Sequence, residues 1–191
     1  MLFNIEITET NCAEHDADEL VDGLTKLGNG CFATAYASGR DQVIKVSVGN
    51  DWGYMSFLEA MSRMKSHNPW LPRIHWVRVF MGRSGRDSDS RIVTCLERLE
   101  RPWDSSGDVE DLSQKNAPLW QVYATMCKEI EGHVDRPETR QQDWIKRNPQ
   151  LREALAVIHV AMASSGRGTD LHCGNFMVRG RQLVITDPIG F

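Results

Sequence analysis

The sequence lacks the cysteine spacing that would mark a metal site or an oxidising compartment. Its five cysteines (Cys12, Cys31, Cys95, Cys127 and Cys173) are odd in number and widely spread, and no CxxC pair occurs. That pattern argues against a disulfide framework and against a zinc site, and a reducing cytoplasm is the expected setting. Long apolar runs are missing too: none approaches the ~20 residues needed to cross a bilayer. Met1 is followed by acidic and polar residues rather than by the basic region and apolar core of a signal peptide. Positive charge is in deficit, with 22 basic against 26 acidic side chains and a formal charge of -4. This removes the electrostatic case for direct binding to nucleic acid or to an anionic membrane surface. Lysine is scarce, six against sixteen arginines, so the position of each lysine carries information.

What is present is an ordinary globular composition, 41% hydrophobic and 25% charged over 191 residues. That is enough chain for one domain, in one or two lobes, able to bury roughly 70% of its unfolded surface. Residues 1–22 are acidic and polar, and a loose start is expected there. From Gly23 to Val48 the pattern is strand, Gly turn, strand, turn, strand: CFATAYA alternates, SGRD turns, and QVIKVSV alternates again. Residues 51–66 carry Tyr54, Leu58, Met61 and Met64 near helical spacing, and HNPWLP ends that helix. IHWVRVFM and RIVTCLERL predict two strands joined by the polar loop GRSGRDSDS. The first hundred residues therefore predict a mostly antiparallel sheet with one helix inserted.

The second half changes character. Residues 118–131 read as a helix, and 132–149 are polar without a clear element. Asn148 and Pro149 have the chemistry of an N-cap and a first helical position. Beyond them Leu151, Leu155, Ile158 and Met162 repeat at helical spacing as far as SSGRG. Phe176–Val178 and Leu183–Ile185 then predict a short hairpin over RGRQ.

That hairpin is bracketed by Asp170, Asn175 and Asp187. Carboxylate and amide oxygens gathered at one edge suit Mg2+ with phosphate, because this hard ion takes one or two carboxylates plus phosphate oxygens. Three polar residues capping turns is the plain structural alternative. Near the front, Gly28 and Gly30 in LGNGCFATAYA allow a backbone turn to approach a phosphate closely. Lys45 sits between Ile44 and Val46 on a strand, where its charge either snorkels to water or meets an anion. His172, inside the DLHCGN loop, either bonds the loop backbone or approaches a phosphate.

Taken in order, a Gly-rich turn, a strand lysine, a helix acid, a D-x-x-x-x-N loop and an aspartate after a hairpin follow the layout of protein kinases. LGNGCFATAY and VIKV at the front, with DLHCGN and ITDPIGF at the back, resemble the eukaryotic-like protein kinase superfamily. The resemblance is nearest to the early serine/threonine protein kinases of T7-like bacteriophages. It covers roughly residues 26–60 and 165–191 and leaves about 101–150 unaligned.

The resemblance implies an α+β fold, a minimal two-lobed kinase-like domain over 1–191. Its N-lobe, about 23–100, would hold an antiparallel sheet and one helix; its reduced helical C-lobe, about 101–191, would be cut short after the DFG-like position, without an activation segment. It implies ATP and Mg2+ as cofactors, and transfer to Ser/Thr hydroxyls of host bacterial proteins in the host cytoplasm. It also implies self-modification in the serine-rich loops, at Ser84, Ser88, Ser90, Ser105 or Ser106. By the same resemblance Gly28, Asn29, Gly30, Cys31 and Phe32 would cover the ATP phosphates. Lys45 would bind the α- and β-phosphates; Glu59, on the one helix after the lysine strand, is either its acid partner or an exposed helical glutamate. The hinge at Leu96–Leu99, through Glu97 and Leu99, would hold adenine by its backbone. Asp170 would be the catalytic aspartate, and Asn175 and Asp187 the metal ligands.

There are departures: Ala33 stands for the third glycine, Gly168-Thr169 for the usual His-Arg, and DPIG for DFG. DLHCGN also resembles the D-x-H-x-G-N loop of aminoglycoside and choline phosphotransferases, which act on small molecules. A non-catalytic pseudokinase that binds a host protein is the third reading.

Overall fold

The computed structural model describes residues 4–9, 13–82, 89–101, 117–135 and 143–190. The chain forms two compact units, Met1–His67 with Arg73–Arg98, and Asn68–Pro72 with Leu99–Phe191. Strands and helices share them in an α+β fold.

The first unit holds β1 (Asn4–Glu9), α1 (Ala13–Glu19), β2 (Thr25–Asn29), β3 (Ala33–Ser38), β4 (Gln42–Val48), α2 (Trp52–Ser62), β5 (Ile74–Met81) and β6 (Arg91–Glu97). They make one sheet in the order β1-β5-β6-β4-β3-β2. Every pairing is antiparallel except β1 with β5, which run parallel from Asn4 beside Trp76 to Glu9 beside Met81. The sheet is thus largely as the alternation predicts, with two elements more at its start. The polar composition of residues 1–22 conceals them. Ala17 on α1 and Leu20 and Val21 in the turn that follows it come together on one side of the chain. There they cover Ile44, Phe80 and Val93.

Side chains alternate along a strand, so β4 serves two layers. Ile44 and Val46 join the α1 cluster, while Lys45 projects from the opposite face and meets Tyr54 of α2. On α2, Tyr54, Phe57, Leu58 and Met61 are buried, the i, i+3, i+4, i+7 stripe of an amphipathic helix. Its N-cap is Asp51, whose Oδ1 accepts the Tyr54 N–H at 3.1 Å.

The second unit packs α3 (Ala117–Asp135), α4 (Asp143–Arg147) and α5 (Pro149–Ser165) with a hairpin of β7 (Phe176–Arg179) and β8 (Gln182–Ile185). Tyr123, Cys127, Ile130 and Val134 of α3, Leu151, Ala154, Leu155 and Ile158 of α5, and Phe176, Val178, Leu183 and Ile185 of the hairpin form its core. Asn148 caps α5 by accepting the Leu151 N–H at 3.0 Å. Gly166 closes it at φ +66°, a left-handed geometry that favours glycine. The helix-breaking HNPWLP segment becomes part of this core. Asn68, buried, donates to Gln150 C=O and Glu153 Oε2. Trp70 C=O accepts the Ile185 N–H, and Arg179 donates to the carbonyls of Pro69 and Leu71. Among the described residues no helix is long and apolar enough to cross a membrane.

Cys31, Cys95 and Cys127 are not in disulfides; the first is exposed and the other two are buried. Burial pushes the Cys95 thiol up from its ordinary range, so at neutral pH it holds its proton, and the thiolate is the reactive form. Alkylation of the folded protein is therefore expected to label exposed Cys31 and spare Cys95 and Cys127 until denaturant is added. Peptide mass spectrometry after timed iodoacetamide treatment reads this directly.

Candidate functional site

The loop after α5 returns to the chain beyond the hairpin through two sets of backbone bonds. Upstream of the loop, Asp170 N–H donates to Pro188 C=O at 2.8 Å and Gly190 N–H to Gly168 C=O at 2.8 Å. Downstream, Thr186 donates to Asn175 C=O twice, by its N–H at 2.9 Å and by its hydroxyl at 3.0 Å. Asp187 lies between these two latches. Its neighbours Thr186 and Pro188 are tied to Asn175 and Asp170, so the backbone brings together the three residues that the spacing singles out.

Side chains finish the arrangement. Asn175 Nδ2 donates to Asp170 C=O at 2.7 Å and to Asp170 Oδ2 at 3.1 Å. With its NH2 group engaged, Asn175 has its amide oxygen as the ligating atom. His172 Nδ1 accepts the Gly174 N–H at 3.0 Å, and its Nε2 lies 3.7 Å from Asp170 Oδ2. His172 thus takes the first of its two expected roles and bonds the loop backbone. Asn175 N–H donates to His172 C=O at 3.0 Å, closing a 3-10 turn over Cys173–Asn175. An amide oxygen beside one carboxylate fits Mg2+, which retains waters and phosphate oxygens rather than demanding a full protein cage. The described residues contain no cluster of three or more His, Cys, Asp or Glu able to hold a metal by themselves.

In the first unit, Lys45 Nζ lies 3.4 Å from the centre of the Tyr54 ring. A cation over an aromatic face gains about 0.5–2 kcal/mol, which lowers the cost of a half-buried lysine. Tyr54 is the contact that sequence reasoning missed; its helical spacing marks it as buried without showing that its ring face would meet a charge. Glu59, the candidate acid partner, is exposed on α2. The reason is helical phase: at 3.6 residues per turn, five residues past Tyr54 is about 140° around the helix.

The Gly turn is a β2–β3 hairpin, with a bulge between Lys26 and Gly28 and a bond from Gly30 N–H to Ala33 C=O at 2.8 Å. Gly30, Cys31 and Phe32 line a cleft of about 260 Å³ with Thr34, Tyr36 and Arg91. That cleft is on the α1 face, since Tyr36 and Val46 belong to the α1 cluster. Lys45 projects from the other face, so this cleft does not unite the turn with the lysine. At the expected hinge, Glu97 N–H goes to Arg73 C=O and Arg98 N–H to Asp41 C=O, so neither donor is open to adenine. Leu99 is buried. Ser90, one of the serines expected to be self-modified, is 4% exposed and accepts from Gly82 N–H. Ser84, Ser88, Ser105 and Ser106 lie outside the described residues.

Beside Lys45 stand two buried hydroxyls, Thr94 directly across the β4–β6 ladder and Ser47 two residues along. Neither has a hydrogen-bond partner among the described residues. A buried hydroxyl left unpaired costs about 1–3 kcal/mol, whereas valine has nearly the same shape and no polar atom. Thr94→Val is therefore expected to raise stability by about 1 kcal/mol. Urea unfolding with an unchanged slope would register this, and a loss of stability would show that the hydroxyl is satisfied in solution.

Neither a family model nor a curated protein matches the chain in sequence. Among solved structures it is similar to the ternary complex of streptomycin and ATP with APH(2")-IIa. Identity is 10% and the TM-score 0.35, over 95% of this chain and 73% of that one. Likeness at that level leaves the class of protein to be argued from the loop itself.

Proposed function

We propose that the chain is an ATP- and Mg2+-dependent phosphotransferase whose acceptor is a hydroxyl of a small molecule. The observation that carries this reading is the double latch, Asp170 N–H to Pro188 and Thr186 to Asn175, which gathers Asp170, Asn175 and Asp187 at one mouth. In the proposed reaction the acceptor hydroxyl gives its proton to the Asp170 carboxylate. Its oxygen forms the new bond to the γ-phosphorus, the bond from that phosphorus to the β-bridging oxygen breaks, and ADP leaves. Asn175 and Asp187 would hold Mg2+, and the chemistry it supplies when bound is neutralisation of charge on the phosphate oxygens. By the kinase resemblance, Lys45 would meet the α- and β-phosphates.

The small-molecule acceptor is supported by the loop's own construction. A Cβ at Gly174 would lie 2.6 Å from His172 Cε1, so the histidine and the glycine are physically one device. They are the H and G of the D-x-H-x-G-N pattern, which resembles aminoglycoside and choline phosphotransferases. Protein Ser/Thr phosphorylation, with host proteins as substrates, rests on the phage-kinase resemblance alone, and the burial of Ser90 weighs against self-modification there. The purified protein with labelled ATP and Mg2+ should be offered aminoglycosides, choline-like amino alcohols and a bacterial lysate in parallel. Label in a small-molecule product is the expected result. Label confined to protein would overturn the acceptor class, and no transfer to anything would favour the pseudokinase reading.

A further inference from the structure

We propose that His172 is a positioning residue for Asp170, fixing which carboxylate oxygen meets the acceptor hydroxyl; this rests on the phosphotransferase reading above. The imidazole is held at one nitrogen. Nδ1 accepts the Gly174 N–H at 3.0 Å, so in the neutral ring the proton sits on Nε2. That N–H faces Asp170 Oδ2 across 3.7 Å, longer than a hydrogen bond but close enough to bias the carboxylate.

The same Oδ2 takes the Asn175 Nδ2 donor at 3.1 Å. Two donors therefore address one oxygen, while Oδ1 makes no hydrogen bond among the described residues. An oxygen relieved of donors is the better proton acceptor, so Oδ1 is the atom assigned to the incoming hydroxyl. Without the imidazole edge, the Asp170 side chain keeps a single tether and can turn its free oxygen away.

The identity of residue 174 follows from this. A Cβ there would lie 2.6 Å from His172 Cε1 and 3.0 Å from Nδ1. Any larger residue displaces the ring, and with it the Nε2–H. Both side chains are about half exposed, 58% for His172 and 49% for Asp170, so water screens the contact. Its effect is on orientation and rate, with little on stability.

The test uses the full chain and two substitutions that divide the ring's functions. His172→Asn offers an amide oxygen where Nδ1 accepts, and no donor where Nε2 stands. His172→Gln offers an amide N–H near the Nε2 position. His172→Asn is expected to lower kcat about 10- to 100-fold, the scale of a small misplacement of a reacting group, with KM for ATP and Tm unchanged. His172→Gln is expected to retain more of kcat. In an Asp170→Asn background His172→Asn should cost nothing further, since the residue it positions is already lost. Wild-type kcat in His172→Asn, or losses that multiply in the double variant, would overturn the proposal.

A readout without turnover comes from 15N NMR of histidine-labelled protein free of nucleotide. The His172 resonances, assigned by their loss in His172→Asn, should report the Nε2–H tautomer; the Nδ1–H tautomer would overturn the geometry. If the wild type transfers phosphate to no acceptor offered, the phosphotransferase reading fails and this inference falls with it, even with the tautomer as expected. If Asp170→Asn alone transfers at the wild-type rate, Asp170 is not the proton acceptor and the inference is overturned while the phosphotransferase reading stands.

Discussion

Asp170→Asn is expected to lower phosphoryl transfer by about 10²–10⁴-fold, the usual contribution of a general base, while Mg·ATP affinity stays within a few-fold. The substitution is nearly isosteric, and an amide oxygen can still accept the Asn175 Nδ2 donor that Asp170 Oδ2 receives at 3.1 Å. The latch from Asp170 N–H to Pro188 C=O is backbone to backbone, so it survives. What disappears is the oxygen able to take the acceptor's proton. Calorimetric titration of Mg·ATP beside a transfer assay separates the two quantities. Loss of nucleotide affinity in Asp170→Asn would mean that this carboxylate holds the metal instead.

Asp187→Asn is expected to behave in the opposite way, losing Mg·ATP affinity and transfer together. The hairpin should persist, because Thr186 and Pro188 make their bonds to Asn175 and Asp170 through groups the substitution does not touch. At an effective dielectric of about 20, two unit charges ~4 Å apart interact by ~4 kcal/mol. Partial exposure of Asp187 reduces that figure, so a weakening of about 10²-fold in affinity is the expected scale. Its signature is a Mg2+ requirement shifted to higher concentration, read as nucleotide binding across a Mg2+ titration. An unchanged Mg2+ dependence would remove Asp187 from the metal-holding set.

Elements whose signals are local were legible in the sequence. The cap at Asn148, the proline after it and the glycine closing α5 lie within the helix they delimit. The strands β3 to β6 and the closing hairpin alternate plainly. The first strand was not legible, although Ile5 and Ile7 alternate with polar neighbours. Its partner β5 is about 70 residues away and runs parallel to it, and nothing local announces such a pairing. For the site, the spacing of Asp170, Asn175 and Asp187 was readable because a loop, a hairpin and a return strand are contiguous. For Glu59, read either as the acid partner of Lys45 or as an exposed helical glutamate, the exposure on α2 could have been foreseen from helical phase, by taking the buried stripe Tyr54, Phe57, Leu58 and Met61 as the inward side. The coupling of His172 to Gly174 was out of reach, since a Cβ that would collide with a ring is visible only in three dimensions.

The most direct test of the central claim is the fate of the γ-phosphate of labelled ATP, followed in wild-type protein and in Asp170→Asn, with and without Mg2+. All products are counted, whether free phosphate, small molecule or protein. The account predicts conversion by the wild type that requires Mg2+ and falls by at least about 10²-fold in Asp170→Asn. Equal conversion by the two proteins, or none by the wild type at any Mg2+ concentration and with any acceptor, would contradict it.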